Sequence, residues 1–172
     1  ALIADALEHP FDTPSKERPP FGLLRRAPLL DAQAEIAAAA GDAVTVRAAA
    51  DELREIADGF PSVALAASAS LAQGRACVAE CRPADAIGFC ERALVAWTEI
   101  GAPFEAAVAR MVLGQACAEA GSSASAALEW RAAQTAFAEY GAARWAERAG
   151  QAIDDASAPA PPSPAPASVP TP

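Results

Sequence analysis

Basic side chains and aromatic rings are both scarce in this 172-residue chain. Lys16 is the only lysine, and 13 basic residues stand against 22 acidic ones, which gives a net charge of -9. Proteins that bind nucleic acids draw most of their affinity from Lys and Arg contacts with phosphates. We therefore expect no direct nucleic-acid binding by this chain. Aromatic residues make up 6% of the sequence, which is too few for the core of a typical β-sandwich.

Long hydrophobic runs are also missing. No stretch approaches the roughly 18 consecutive apolar residues that indicate a membrane span. The chain does not open with the basic and then apolar segments of a signal peptide. We therefore expect a cytoplasmic protein with no membrane association. The first residue is Ala1 and the only methionine is Met111, which indicates a processed product or an excised piece of a larger protein.

The residues that usually carry chemistry form no recognisable catalytic or metal site. Cys77 and Cys81 would share one helix face, but zinc needs a full set of closely spaced ligands, and the only histidine, His9, is distant in sequence. Cys90 and Cys117 form no second pair at that spacing. The motifs of serine hydrolases, P-loop enzymes and zinc proteases are absent. We expect no enzymatic activity, metal or cofactor, and reduced thiols that pack as small hydrophobes.

Alanine is abundant, at more than a quarter of the residues, and it has the highest helix propensity of any residue. Apolar residues recur with a helical period, and strand-like alternation is absent. Regularly spaced residues divide the chain into segments of about 20 residues, as helix C-caps do. They are the glycines at 41, 59, 101, 121 and 141, with Cys81-Arg82 at the same spacing. The predicted helices are 28–40, 43–58, 62–80, 83–100, 104–120, 123–140 and 142–155.

Proline marks the two ends of the predicted helical domain, which spans residues 27–156. Prolines at 10, 14, 19 and 20 interrupt any helix between residues 9 and 22. Residues 1–26 are therefore predicted to be irregular, with a short leading helix. Residues 157–172 (SAPAPPSPAPASVPTP) carry no charge and no aromatic ring, and are predicted to form a disordered Pro/Ala-rich linker.

Two stretches of the sequence, 71–109 and 111–149, match each other when position 71 is aligned with position 111. The matches with most weight are Gly74 with Gly114, Cys77 with Cys117, Glu99 with Glu139, and Gly101 with Gly141. A period of this size indicates stacked helical hairpins. We expect Trp97, Trp130, Phe137 and Tyr140 to be buried between the hairpins. In the last helix, Trp145, Ala149 and Ala152 are predicted to face inward, whereas Arg144, Glu147, Arg148 and Asp154 are predicted to face water or one another.

The spacing of Leu113-Gly114, Cys117, Gly121, Ala126, Trp130 and Ala133 resembles the core pattern of the tetratricopeptide repeat. The resemblance implies an all-α fold: a right-handed α-solenoid of about three helical hairpins plus a terminal capping helix. It also implies a concave groove lined by the first helix of each hairpin. Carried over position by position, this candidate groove contains Asp31, Glu35, Leu71, Arg75, Val78, Met111, Gln115 and Glu119. The alternative, of equal weight, is that neighbouring domains of a parent protein cover this face or that it is plain surface.

A narrower resemblance covers most of the chain. Residues 19–34 (PPFGLLRRAPLLDAQA), 97–106 (WTEIGAPFEA) and 137–142 (FAEYGA) are similar to the helical-repeat region of large bacterial LuxR-type transcriptional regulators. That resemblance implies an interaction or signal-relay module whose DNA-binding domain lies outside this chain. The partner would be a protein, a peptide or a neighbouring domain. A peptide-binding or assembly scaffold with no link to transcription is the second hypothesis, and the oligomeric state is left open.

Overall fold

Seven α-helices account for most of residues 19–157, the part of the chain that the computed structural model describes. They are α1 (Pro19–Ala39), α2 (Ala43–Gly59), α3 (Val63–Ala79), α4 (Pro83–Glu99), α5 (Pro103–Glu119), α6 (Ser123–Glu139) and α7 (Ala143–Ser157). These residues contain no strand, so the all-helical prediction is confirmed for them. Six of the seven helices begin and end within about two residues of their predicted bounds. The predicted short leading helix and nearly all of the predicted linker fall outside the described residues.

Helix α1 differs most from its prediction, because it begins at Pro19 rather than near residue 28. Residues 19–26, which were predicted to be irregular, are therefore helical. Proline at the first position of a helix loses no hydrogen bond, since the first amides of a helix have no intrahelical partner. Pro28 lies inside α1 on its exposed side. Neither proline ends the helix: one opens it, and the other occupies an internal position that faces solvent.

Five helices end in the same tight turn, which appears at the regular spacing seen in the sequence. Gly41, Gly101, Gly121 and Gly141 adopt positive φ of 68° to 82°, and Cys81 takes the same conformation with φ 57°. In each turn the next amide donates back into the helix, as Ala102 N does to Trp97 O over 2.9 Å. This paired arrangement satisfies the last carbonyls of the helix and reverses the chain.

Gly59 does not end α2 in this way, so the prediction of a glycine C-cap at that position is wrong. It is the last residue of the helix and has no positive φ. Phe60 follows with extended backbone, φ -134° and ψ 113°. The residue before a proline is driven out of the helical region by contact with the proline ring. Pro61 therefore ends α2 by a different mechanism.

Every helix packs against the next one in the chain, and α3 also contacts both α1 and α5. All six connections are three residues long, and such short connections make consecutive helices antiparallel neighbours. Helices α1, α3 and α5 therefore lie side by side along one face, and α2 and α4 lie behind them. Among residues 19–157, no helix combines the length and apolarity that a membrane span requires.

The main hydrophobic core holds three of the four aromatic residues that were expected there. Trp97, Trp130 and Phe137 are buried. The prediction for Tyr140 is wrong, because this side chain is 59% exposed. Tyr140 is the C-cap residue of α6, where the chain turns away from the apolar face, and Ile100 at the equivalent point of α4 is exposed for the same reason.

Helix α7 packs against α6 through the face that was predicted to be apolar. Ala149 is fully buried, and Trp145 and Ala152 are half-buried against the main core. The Trp145 ring packs edge-on against Phe104 with centroids 5.8 Å apart, and tilted against Phe137 at 5.3 Å. The charged residues predicted to face solvent are all exposed, namely Arg144, Glu147, Arg148 and Asp154.

Candidate functional site

A cleft of about 470 Å³ opens between the four odd-numbered helices, and we call it the inner cleft. Its lining is apolar along α3 and α5, with charged side chains at intervals. The lining residues are Glu35, Ala38, Ala39, Gly41, Arg75, Val78, Ala79, Val108, Met111, Val112, Gln115, Glu119, Trp145 and Arg148. Side chains one helical turn apart point to the same side, which is how Met111, Gln115 and Glu119 of α5 reach one wall.

Six of the eight residues assigned to the groove by the tetratricopeptide resemblance line this cleft: Glu35, Arg75, Val78, Met111, Gln115 and Glu119. The structure places the other two elsewhere. Asp31 does not line the cleft but pairs with Arg75, which does. Leu71 is 3% exposed and belongs to the main core, because its position on α3 turns toward the buried side of the hairpin. Leu71 is therefore not part of the cleft lining.

Arg75 is the buried charge of the inner cleft, with 5% of its side chain exposed. Its Nη1 donates to Asp31 Oδ1 over 2.9 Å, and its Nη2 donates to Glu35 Oε2 over 3.3 Å. The two acids lie one turn apart on α1, so both reach the same guanidinium. A buried cation is tolerated only when paired in this way, and the triad fixes α1 against α3.

Arg148 brings α7 to the same cluster from the opposite side. Its Nη1 lies 3.6 Å from Glu35 Oε1, and its guanidinium lies 5.4 Å from the centre of the Trp145 ring. Glu35 is therefore shared between a buried arginine and a largely exposed one. The contact connects the first described helix with the last and closes one side of the inner cleft.

No α7 residue was predicted to line the groove, although the repeat contained the signal. One repeat beyond Met111 and Gln115, the equivalent positions are Gln151 and Asp155. Both of these residues line a smaller cavity of about 340 Å³, which shares Met111, Gln115 and Arg148 with the inner cleft. The repeat thus extends into α7, which has the position of the first helix of a hairpin.

A separate polar cluster joins α2 to α3 on the other side of the helices. Arg47 donates from Nε and Nη2 to the two carboxylate oxygens of Glu80, both over 2.7 Å, and from Nη1 to Gln73. Gln73, which is buried, donates in turn to Asp51 over 3.0 Å. The Arg47 guanidinium holds the pKa of Glu80 below its ordinary value, and the Glu80 carboxylate raises the pKa of Arg47.

The four thiols are free, and three of them are buried. Burial raises the pKa of Cys90 to about 12, so this thiol is neutral at physiological pH. Burial also raises the pKa of Cys117. Cys77 clusters with Ala86 of its own hairpin, and its Sγ also lies 3.8 Å from Arg47 Nη2 of the preceding helix. Residues 19–157 contain no group of three or more His, Cys, Asp or Glu placed to hold a metal ion.

No protein-family model, curated protein or solved structure matches this chain at a significant level.

Proposed function

We propose that this chain is a non-catalytic helical-repeat module that recognises a protein or peptide segment in its inner cleft. The observation that carries the proposal is the cleft itself. Its volume lies within the range of about 300–1,000 Å³ that is typical of binding pockets. Its lining comes from one face of alternate helices, at the positions that the tetratricopeptide resemblance assigns to ligand contact. An apolar floor with a few converging charges suits a peptide with mixed side chains.

The same observations favour a right-handed α-solenoid of the tetratricopeptide type as the finer description of the fold. Antiparallel helices of similar length recur as pairs at a constant interval, and the first helices of successive pairs contact one another. Repeat proteins of this kind use the surface of their first helices for recognition. In this proposal α7 is the capping helix.

The charged groups of the cleft suit recognition better than catalysis. Asp31 and Glu35 both form ion pairs with Arg75, so these three charges hold the helices together. Arg148 and Glu119 face solvent at the cleft edge and can contact a partner. We therefore propose that the module is not an enzyme and takes no cofactor.

The similarity to the repeat region of LuxR-type regulators supports a cytoplasmic role in signal relay. In that role a partner protein or a neighbouring domain of the parent protein would occupy the cleft, and DNA binding would belong to a separate domain. The acidic surface of this chain would not contribute to DNA binding, because phosphates repel carboxylates.

A phage-displayed random peptide library panned on the full chain tests the proposal. Gln115 is exposed and lines the cleft, so Gln115→Trp should block the cleft and leave the fold intact. We expect recovered peptides to lose at least about tenfold in affinity for this variant, or about 1.4 kcal/mol. Val44→Trp, at an 81% exposed position of α2, is the matched control and should bind normally. Peptides that bind both variants equally would contradict the proposal.

A further inference from the structure

A second groove, of about 610 Å³, runs along the seam between α3 and α4 and shares no residue with the inner cleft. We call it the side groove. Its walls are apolar and include Val63 and Val95, which are 50% and 56% exposed. Exposed apolar side chains that lie together around one groove offer apolar contact to a docking partner.

The next hairpin has a smaller cavity, of about 210 Å³, at the equivalent place; its lining includes Pro103, Ala106 and Ala107, which are equivalent to Val63, Ala66 and Ala67. One repeat later, Leu128 stands at the position of Gly88, and Arg110 stands at the position of Ser70. In the α5–α6 hairpin, Arg110 crosses the seam and pairs with Glu129. The seam of α3 and α4 carries serine at the position of Arg110, and its groove is the larger of the two.

Packing within the chain does not require the glycine at position 88. A Cβ added there would meet only Arg92 Nη1, at 3.7 Å, which is an ordinary contact. Glycine in the middle of a helix destabilises it relative to alanine. Gly88 thus leaves its part of the groove wall without a side chain, at a cost in helix stability.

Charges of both signs border the side groove. Glu91, Arg92 and Glu99 line it, and none of them takes part in an ion pair with any residue between 19 and 157. The Arg92 guanidinium lies over the Phe89 ring, 4.5 Å from its centre. The border therefore offers both a cation and carboxylates to a partner.

We propose that the side groove is a self-association surface on which a second copy of this chain docks through α4. A two-fold interface must be complementary to itself. The side groove meets that requirement, because each copy presents Arg92 together with Glu91 and Glu99 around exposed valines. A chain of net charge -9 repels its own copies, so association needs such local pairing. This inference concerns a different face from the inner cleft and does not depend on the proposed function.

Sedimentation velocity of the full chain over a concentration series tests it. We expect a reversible dimer. Gly88→Leu introduces the side chain found in the next hairpin and should weaken the dimer at least about tenfold. Its melting temperature should be unchanged or higher, because leucine is a better helix former than glycine. Gly88→Ala is the matched control: it gives the same kind of helix gain but leaves the groove open, so the dimer should persist.

A charge exchange separates docking from any effect on folding. Arg92→Glu alone should weaken the dimer at least about tenfold, because like charges then face each other. A mixture of Arg92→Glu with the double variant Glu91→Arg/Glu99→Arg should form a mixed dimer tighter than either variant forms alone. A wild-type chain that stays monomeric at every concentration would overturn the proposal. A dimer indifferent to both Gly88→Leu and Arg92→Glu would overturn it as well.

Discussion

The two central hairpins, α3–α4 and α5–α6, have the same frame, meaning the same helix lengths and turns, but different side chains at their inner contacts. All four helices are 17 residues long, and Pro103, which opens the second hairpin, is one full repeat away from Val63, which opens the first. Gly74 and Gly114 are equivalent, but Gly74 faces Cys90 whereas Gly114 faces the Trp130 indole. The frame thus depends on helix length and turn geometry, and tolerates either a small or a large side chain at one inner contact.

Each of the two hairpins is also joined to the helix before it, α3 to α2 and α5 to α4, and these two joints differ even more. Arg47, Gln73 and Glu80 form a hydrogen-bonded joint between α2 and α3. Their equivalents one repeat later are Ile87, Leu113 and Ala120, and the first two belong to the main apolar core. One repeat therefore connects its helices by directional polar bonds, and the next does so by burial. Polar joints add geometric specificity, whereas apolar joints add stability that is insensitive to pH.

The largest expected effect comes from the equivalent pair Trp97 and Phe137. Trp97→Ala should cost about 3–5 kcal/mol of unfolding free energy, because it removes a large buried ring and leaves a cavity. Urea denaturation followed by circular dichroism measures this. A neutral result would show that the ring is not part of the core.

Trp97→Phe sharpens the same comparison, because phenylalanine is the residue at the equivalent position. The buried Nε1 of Trp97 has no hydrogen-bond partner within the described residues, and leaving such a donor unpaired costs about 1–3 kcal/mol. Removing this unpaired donor should offset much of the stability that is lost with the larger indole ring. We expect Trp97→Phe to lie within about 1 kcal/mol of wild type; a loss as large as that of Trp97→Ala would indicate an unseen partner for the indole.

A smaller effect is expected at the two inner glycines. A Cβ at Gly114 would lie 2.6 Å from Cδ1 and 2.8 Å from Cε2 of Trp130, and the Trp130 Nε1–Met111 O hydrogen bond of 3.1 Å holds the indole in place. Gly114→Ala should therefore lower the free energy of unfolding by about 1–3 kcal/mol, which is the usual effect of overpacking a core. A Cβ at Gly74 would be too close to a single atom, the Cys90 Sγ at 2.6 Å, and its other neighbours lie at 3.6 Å, an ordinary contact distance. Thermal melts of the two variants should rank Gly114→Ala clearly lower, and equal losses would contradict the difference between the hairpins.

The sequence was sufficient to predict most of the frame, for an identifiable physical reason. Glycine with positive φ and proline in the first turn act locally, so Gly101, Pro103, Gly121 and Gly141 marked helix ends that tertiary packing did not move. The start of α1 was not predictable in this way. Pro19 and Pro28 give the same signal in the sequence whether proline breaks a helix or is accommodated in one, at its first position like Pro19 or at an interior, solvent-facing position like Pro28.

The candidate cleft was predictable only as far as the repeat extends. Arg75, Met111 and Gln115 follow from their place in the pattern. The contribution of Arg148 does not, because its approach to Glu35 depends on how far the helical array curves between α1 and α7. Curvature is the sum of small angles between successive helices, and no single residue encodes it.

A gain in stability is expected where the turns of the two hairpins differ. Cys81 adopts the left-handed conformation with φ 57°, and Gly121 occupies the equivalent place. A residue with a Cβ pays roughly 1–2 kcal/mol in that conformation, and glycine recovers part of this at some cost in unfolded-chain entropy. Cys81→Gly should raise the free energy of unfolding by about 0.5–1 kcal/mol in urea titrations. Gly121→Cys is the reciprocal control and should lower it; a loss for Cys81→Gly would show that the thiol makes a stabilising contact.

The smallest effect distinguishes the polar joint from the apolar one by its dependence on pH. The pKa of Glu80 in the folded chain lies below its ordinary value because Arg47 binds the carboxylate. Such a group adds stability above its unfolded pKa, and the contribution disappears as the pH falls through the folded pKa. Glu80→Gln should therefore lower the free energy of unfolding by about 0.5–1 kcal/mol at pH 7. The difference from wild type should shrink toward zero as the pH falls below the ordinary pKa of a carboxyl group. Asp42, whose pKa is lowered by Thr45, titrates in both proteins and cancels in the comparison. Ala120→Gln, at the exposed equivalent position one repeat later, should show no such pH dependence. If the difference in unfolding free energy between Glu80→Gln and wild type stayed constant from pH 7 to the acid range, the charge of the Glu80 carboxylate would contribute nothing to stability. In that case only the hydrogen bonds of this side chain would hold α2 to α3.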